Sequence, residues 1–174
     1  MPVESLVFLD ESGAQTTMTR TRGRAPRGVR VIERVPHGHW LTTTMICAIR
    51  STGPFAPAIV GGAIDADVFR AYVAEALVPE LRAGDVVILD NLQPHKAAGV
   101  REMIEAAGAR LLYLPPYSPD YNPIENMWSK VKGHLRSAAA RSFEALQRAV
   151  WSALDRVTPQ DCLGFFRGCG YIAT

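Results

Sequence analysis

Three carboxylates stand where an apolar run of the sequence gives way to a turn or a helix begins. Asp10 follows Ser5-Leu6-Val7-Phe8-Leu9, Asp90 follows Val86-Val87-Ile88-Leu89, and Glu125 falls in the first turn of a helix behind a proline-punctuated loop. Oxygen-only ligands of this kind suit hard divalent cations. A pair of such cations can clamp the attacking and leaving oxygens of a phosphodiester, so the chemistry implied is metal-assisted phosphoryl transfer. Each acid also has a plainer reading. An aspartate after a strand is often a turn former or helix cap, and a glutamate in a first helical turn complements the helix dipole.

The loop before Glu125 favours the chemical reading. Pro115, Pro116, Pro119 and Pro123 stiffen it, leaving little backbone freedom to lose on folding. Pro123 suits the first helical position, and Asn122 is placed to cap the helix. On a helix of about 100° per residue, Ser129, Lys132 and Arg136 fall within about 40° of Glu125, while Ile124, Trp128, Val131 and Leu135 gather to one side. Such a helix can bury one stripe and present a carboxylate with cations, Lys130 also nearby, to a phosphate backbone. A second basic feature is an arm holding Arg20, Arg22, Arg24, Arg27, Arg30 and Arg34 against a single acid, Glu33. The arm reads equally as a phosphate-contacting segment or as a solvated loop. His37 and His39, an HxH pair without a third ligand, read as loop or DNA-contact residues rather than a zinc site. His134 reads as structural or surface.

The elements that must position these groups follow from periodicity. Residues 5–10 read as a buried strand, 14–39 as a long loop, 41–49 as a Thr/Ile-rich strand and 56–64 as a third strand broken near Gly61-Gly62. Asp65 is a predicted N-cap, with Val68, Phe69, Tyr72, Val73, Ala76 and Leu77 at helical spacing behind it. Residues 86–89 form a strand covered on both faces, 97–107 a helix stopped at Gly108, and 110–114 a strand stopped by Pro115-Pro116. Helices fill most of 123–157, and Thr158-Pro159 marks a break. Three strands followed by strand–helix–strand repeats imply a meander joined to parallel pairs with right-handed crossovers. The expected fold is α/β: one domain over residues 1–174, with a mixed sheet of five strands flanked by helices and both aspartates at the carboxyl ends of central strands, where open α/β sheets place their sites.

Composition is compatible with this. The 174 residues are 48% hydrophobic and 21% charged, with a formal net charge of +2, which describes a globular chain with a real core. No apolar run reaches the length of a bilayer span, and three cysteines without CxxC spacing point to a reduced, cytoplasmic protein rather than a disulfide scaffold or zinc module.

Leu89-Asp90-Asn91 with His95-Lys96, and Tyr117-Ser118-Pro119-Asp120-Tyr121-Asn122-Pro123-Ile124-Glu125-Asn126-Met127-Trp128, resemble the DDE transposases of bacterial insertion sequences related to the mariner group. Phe8-Leu9-Asp10-Glu11-Ser12 is similar to the family's first acidic segment, and 34 residues separate Asp90 from Glu125, as in that family. The resemblance covers nearly the whole chain. It implies a ribonuclease-H-like (retroviral-integrase-like) fold, with Asp10, Asp90 and Glu125 as ligands of two Mg2+ (or Mn2+) ions and Glu11, Asn91, His95 and Asn122 as neighbours of the site. It also implies cleavage of transposon-end DNA and strand transfer of the 3′-hydroxyl into target DNA at TA, by a homodimer in a bacterial, nucleoid-associated setting. Relatives carry an N-terminal helix-turn-helix that grips the transposon ends. Asp10 leaves no room for one here, so such a region is expected to be encoded separately or by frameshift. Two other readings stand beside this one: a ribonuclease-H-like nuclease without strand transfer, and a non-catalytic DNA-binding or assembly fragment of a decayed element.

Overall fold

The structure is a computed structural model that describes residues 2–37 and 40–172. Five strands, β1 (Leu6–Gln15), β2 (Thr42–Arg50), β3 (Gly53–Gly61), β4 (Val86–Leu89) and β5 (Arg110–Tyr113), form one sheet in the order β3-β2-β1-β4-β5. β1, β2 and β3 pair antiparallel, whereas β4 runs parallel to both β1 and β5. The mixed five-stranded sheet expected from the sequence is the sheet observed.

Strand alternation splits the interior into two layers. Leu6 and Phe8 face one side, with Met45, Cys47, Ile49, Val86 and Ile88, against α3 (Pro123–Ala138), α4 (Phe143–Leu154) and α5 (Pro159–Gly168). Val7 and Leu9 face the other, with Ile46, Val87 and Leu89, against α1 (Ala66–Tyr72) and α2 (Val100–Ala106). The stripe predicted on α3 is the buried one: Ile124, Met127, Trp128, Val131 and Leu135 are all buried, and Trp128 heads the fully buried side chains.

Helix signals read from the sequence operate as expected at two starts. Asp65 accepts hydrogen bonds from the N–H groups of Asp67 and Val68. Thr158, read as a break, is the N-cap of α5 in a capping box with Asp161, Pro159 occupying the first turn. Three expectations need correction. β1 continues to Gln15, because its antiparallel ladder with β2 outlasts its parallel one with β4; Asp10 is therefore within a strand rather than at its end. The helix after Asp65 becomes a π turn (Val73–Leu77) and then a 3-10 turn (Val78–Glu80). The helix expected from Ala97 starts only at Val100, after Gly99 takes φ 89°, a left-handed conformation that glycine adopts without strain.

Candidate active site

Asp10 and Asp90 meet through strand register. β1 and β4 pair at Leu6↔Val86, Val7↔Val87 and Phe8↔Ile88. Two positions further along stand the two aspartates, Asp10 inside β1 and Asp90 just past the end of β4, on neighbouring chain segments whose parallel strands lie about 4.8 Å apart. Strand parity turns Asp10 to the α3 side with Leu6 and Phe8, and Glu11 to the opposite side. Asp10 is 6% exposed, and its Oδ1 accepts the N–H of Glu11 at 2.8 Å.

Glu125 arrives from the start of α3. It is exposed and lines, with Asp90, Asn91 and Asn122, a cleft of about 430 Å³ walled by Leu92, Leu114 and the Pro115–Pro119 loop. A second groove of about 590 Å³, lined by Pro119, Asp120, Asn126, Gly168 and Cys169, opens on the other side of Glu125. The stiff loop includes Tyr117, fully exposed at φ 55°, a backbone conformation that costs a non-glycine residue on the order of 1–2 kcal/mol.

Burial pushes the Asp10 carboxyl up to about 8, and the charges of Glu125, Glu11 and Asp90 push in the same direction; only the Glu11 N–H works against them. Asp10 thus feels the other two acids of the predicted triad. Asp90 is set differently. Burial would raise it, but His95, the N–H of Leu92 and the charge of Lys96 outweigh burial and hold it below the usual carboxylate range. Among the described residues, no three His, Cys, Asp or Glu side chains are close enough to make a ready metal cage. The donor chemistry nonetheless suits a hard divalent cation: the donors are carboxylates, and the buried one is raised by burial and its acidic neighbours with no protein cation offsetting them. Asp10 would be the shared ligand, with Asp90 and Glu125 to either side.

His95 is fully buried between two acids. Its Nε2 lies 2.7 Å from Glu11 Oε2, and its Nδ1 lies 2.7 Å from Asp90 Oδ1, off the axis of a hydrogen bond. Burial alone would lower the imidazole, but the Asp90 and Glu11 contacts raise it to about 9, so at neutral pH it is an imidazolium between two carboxylates. Asn91 donates from Nδ2 to the carbonyl of Leu114, tying the segment after β4 to the end of β5. Asn122 departs from its predicted role. It occupies the cap position of α3, but its side chain makes no capping bond, and its buried Oδ1 has no partner; the Asn122 carbonyl accepts the Glu125 N–H instead.

The basic residues divide. Lys130 is paired with Asp161, the capping-box acid of α5, so a phosphate would have to compete for it. Lys132 and Arg136 are half-exposed on α3, as is His134. Arg20, Arg22, Arg24, Arg27, Arg30 and Arg34 are all exposed, on an extended segment without regular structure. The segment's base is closed by the Thr16 N–H donating to the Leu41 carbonyl and by Arg141 donating to the carbonyls of Thr16 and Met18. His37 is exposed beside Trp40 in a small pocket; its proposed companion His39 lies outside the described residues. The Glu11–His95–Asp90 bridge was missed in the sequence beyond its members' proximity to the site. Strand alternation, which sends Glu11 to the face opposite Asp10, was the available signal.

A protein-family model described as DDE superfamily endonuclease matches residues 5–147. The Transposable element Tcb2 transposase of Caenorhabditis briggsae is 38% identical over 69 residues, which are 37% of this chain and 25% of that protein. The fold is that of the Mos1 structures. The Mos1 mariner paired end complex with Mn superposes with a TM-score of 0.72 at 18% identity, covering 96% of this chain and 52% of the other. The Mos1 Strand Transfer Complex superposes at 0.70 and 18%, covering 96% and 51%. The Mos1 catalytic domain with Raltegravir and Mg superposes at 0.68 and 16%, covering 96% and 77%. The chain thus spans about half the length of the Mos1 chains in the DNA complexes.

Proposed function

The chain belongs to the DDE superfamily endonucleases, and from that premise we propose that it is the catalytic domain of a mariner-type transposase, cutting transposon-end phosphodiesters and joining the freed 3′-hydroxyl to target DNA at TA. The observation that carries this reading is the register that brings Asp10 close to Asp90, with Glu125 lining the same cleft as Asp90.

Asp10, Asp90 and Glu125 would hold two Mg2+ or Mn2+ ions. When bound, these supply activation of the attacking oxygen and stabilisation of the leaving 3′-oxygen. The chain's own residues do the rest. Asp10 would lose its proton to solvent before it could serve as a metal ligand. The proline-rich loop fixes where Glu125 enters. Lys132, Arg136 and the arginine arm hold the phosphate backbone, and no protein nucleophile is required. The similarity to the Mos1 paired-end complex with Mn and the Mos1 strand transfer complex supports DNA ends, target DNA and a divalent metal as partners. A homodimer completes the proposed assembly.

Asp10→Ala, Asp90→Ala and Glu125→Ala should each abolish Mn2+-dependent nicking while leaving metal-free DNA binding intact in a gel-shift titration. Retained nicking in any one of them removes that residue from the triad. Incubating a pre-cut end with plasmid separates the readings further: a joined product is expected, and hydrolysis without joining would reduce the protein to a nuclease.

A further inference from the structure

The ladder between β1 and β4 stops at Phe8 and Ile88, two positions short of the aspartates. Beyond it, β1 stays paired with β2 to Gln15, whereas β4 ends at Leu89. The backbone at Asp10 is therefore held inside a ladder, whereas Asp90 lies one residue past the end of β4, tied on the β5 side through the Leu89 carbonyl and Asn91 but unpaired on the side that faces β1. Asp90 is placed by side-chain contacts instead. Its Oδ1 accepts the Leu92 N–H at 3.0 Å and meets His95 Nδ1 at 2.7 Å. The far nitrogen of the same ring reaches Glu11, next to Asp10 on the rigid strand. The ring packs on Phe69 with centroids 4.6 Å apart, and the His95 carbonyl accepts the Tyr113 hydroxyl at 3.0 Å. A ring so enclosed cannot touch DNA.

We propose that Glu11 and His95 form a strut that carries the rigidity of β1 across to the Asp90 carboxylate, engaging its Oδ1 and leaving Oδ2 as the oxygen for a cation shared with Asp10. Both are positioning residues for the metal site, and the inference rests on the reading of Asp90 as a ligand. The physical ground is that a ligand held in one orientation loses little freedom when the cation arrives. Partners of this kind typically contribute 10–100-fold in metal affinity.

The test is Mn2+ affinity, measured from the electron paramagnetic resonance of free Mn2+, with thermal melting of the same samples. Glu11→Ala and His95→Gln should weaken Mn2+ binding by roughly 10–100-fold. Glu11→Gln, nearly the same shape and still able to accept from the ring, should fall between them and the unsubstituted protein. Nicking should return at high Mn2+, so that half-saturation rises while the saturated rate stays within about threefold, the pattern of lost ground-state binding. Unchanged Mn2+ affinity in folded Glu11→Ala would overturn the strut. Asp90→Ala separates the two levels of inference. If it loses Mn2+ affinity while Glu11→Ala does not, only the strut fails. If it keeps full affinity, the ligand reading fails and the strut with it. Should His95→Gln fail to fold, the two Glu11 variants decide.

Discussion

Asp10 carries an energetic cost that a bound proton or a cation relieves. Its carboxyl titrates near 8 in the fold and near 3.9 in an unfolded chain, so the folded state binds the extra proton between those values. Metal-free stability must fall as pH rises through that window. His95, raised to about 9, adds to the trend, because a histidine stabilised in its charged form loses that contribution as pH passes its folded value. The metal-free protein should thus melt at a higher temperature at pH 6 than at pH 9. Asp10→Asn, which removes the buried charge, should stabilise the metal-free protein at pH 8 by at least about 1 kcal/mol, raising its melting temperature by roughly 2–4 °C for a chain of this size. Calorimetry across pH checks both, and a flat profile would show that the Asp10 carboxyl titrates normally. The same proton competes with the cation. Mn2+ binding below pH 8 should release it, and apparent affinity should climb about tenfold per pH unit until it levels.

At the scale of elements, α3 does most of the positioning. Its apolar stripe is locked under the sheet, so the exposed first turn presents Glu125 from a rigid body. Its far end is less well matched to its sequence. Ala139 closes the helix in the left-handed region at φ 49°, its N–H bonded to the Leu135 carbonyl at 3.1 Å, a position where glycine is free of the Cβ penalty. Ala139→Gly should therefore stabilise the protein by about 0.5–1 kcal/mol, since the relief of strain exceeds the entropy lost by the more flexible unfolded chain. Chemical denaturation measures it, and a loss of stability would mean that Ala139 is not strained as the backbone implies. The pairing of Lys130 with Asp161 belongs to this scale too. It ties α3 to the cap of α5, so Lys130 serves the packing of two helices as well as any contact with DNA.

For the whole molecule, the distribution of charge matters more than its sum. The arginines between 20 and 34 project on an exposed segment whose base is pinned by Arg141, while Asp90 and Glu125 line the cleft and Asp10 is buried. A polyanion can thus be gripped away from the carboxylates and delivered to them only with cations present. Replacing Arg20, Arg22 and Arg24 by glutamine should weaken DNA binding uniformly across sequences. It should also reduce the slope of log affinity against log salt by up to about 0.9 per lost phosphate contact. An unchanged slope would take the arm out of the interface.

The sequence by itself marked the strands and helices and the mixed character of the sheet, because these follow from short-range periodicity and from signals such as Asp65 and Thr158-Pro159 that act on their own backbone; the order of the strands came from the tertiary structure. It also marked Asp10, Asp90 and Glu125, since each stands beside an apolar run that had to be buried. Tertiary structure alone decided that Asp10 lies inside a strand, that Asn122 leaves its cap bond unmade, that Lys130 is taken by Asp161, and that His95 bridges Glu11 to Asp90. Those outcomes depend on groups 31 to 84 positions apart and on which ladder ends first, and no local pattern encodes a distance between strands.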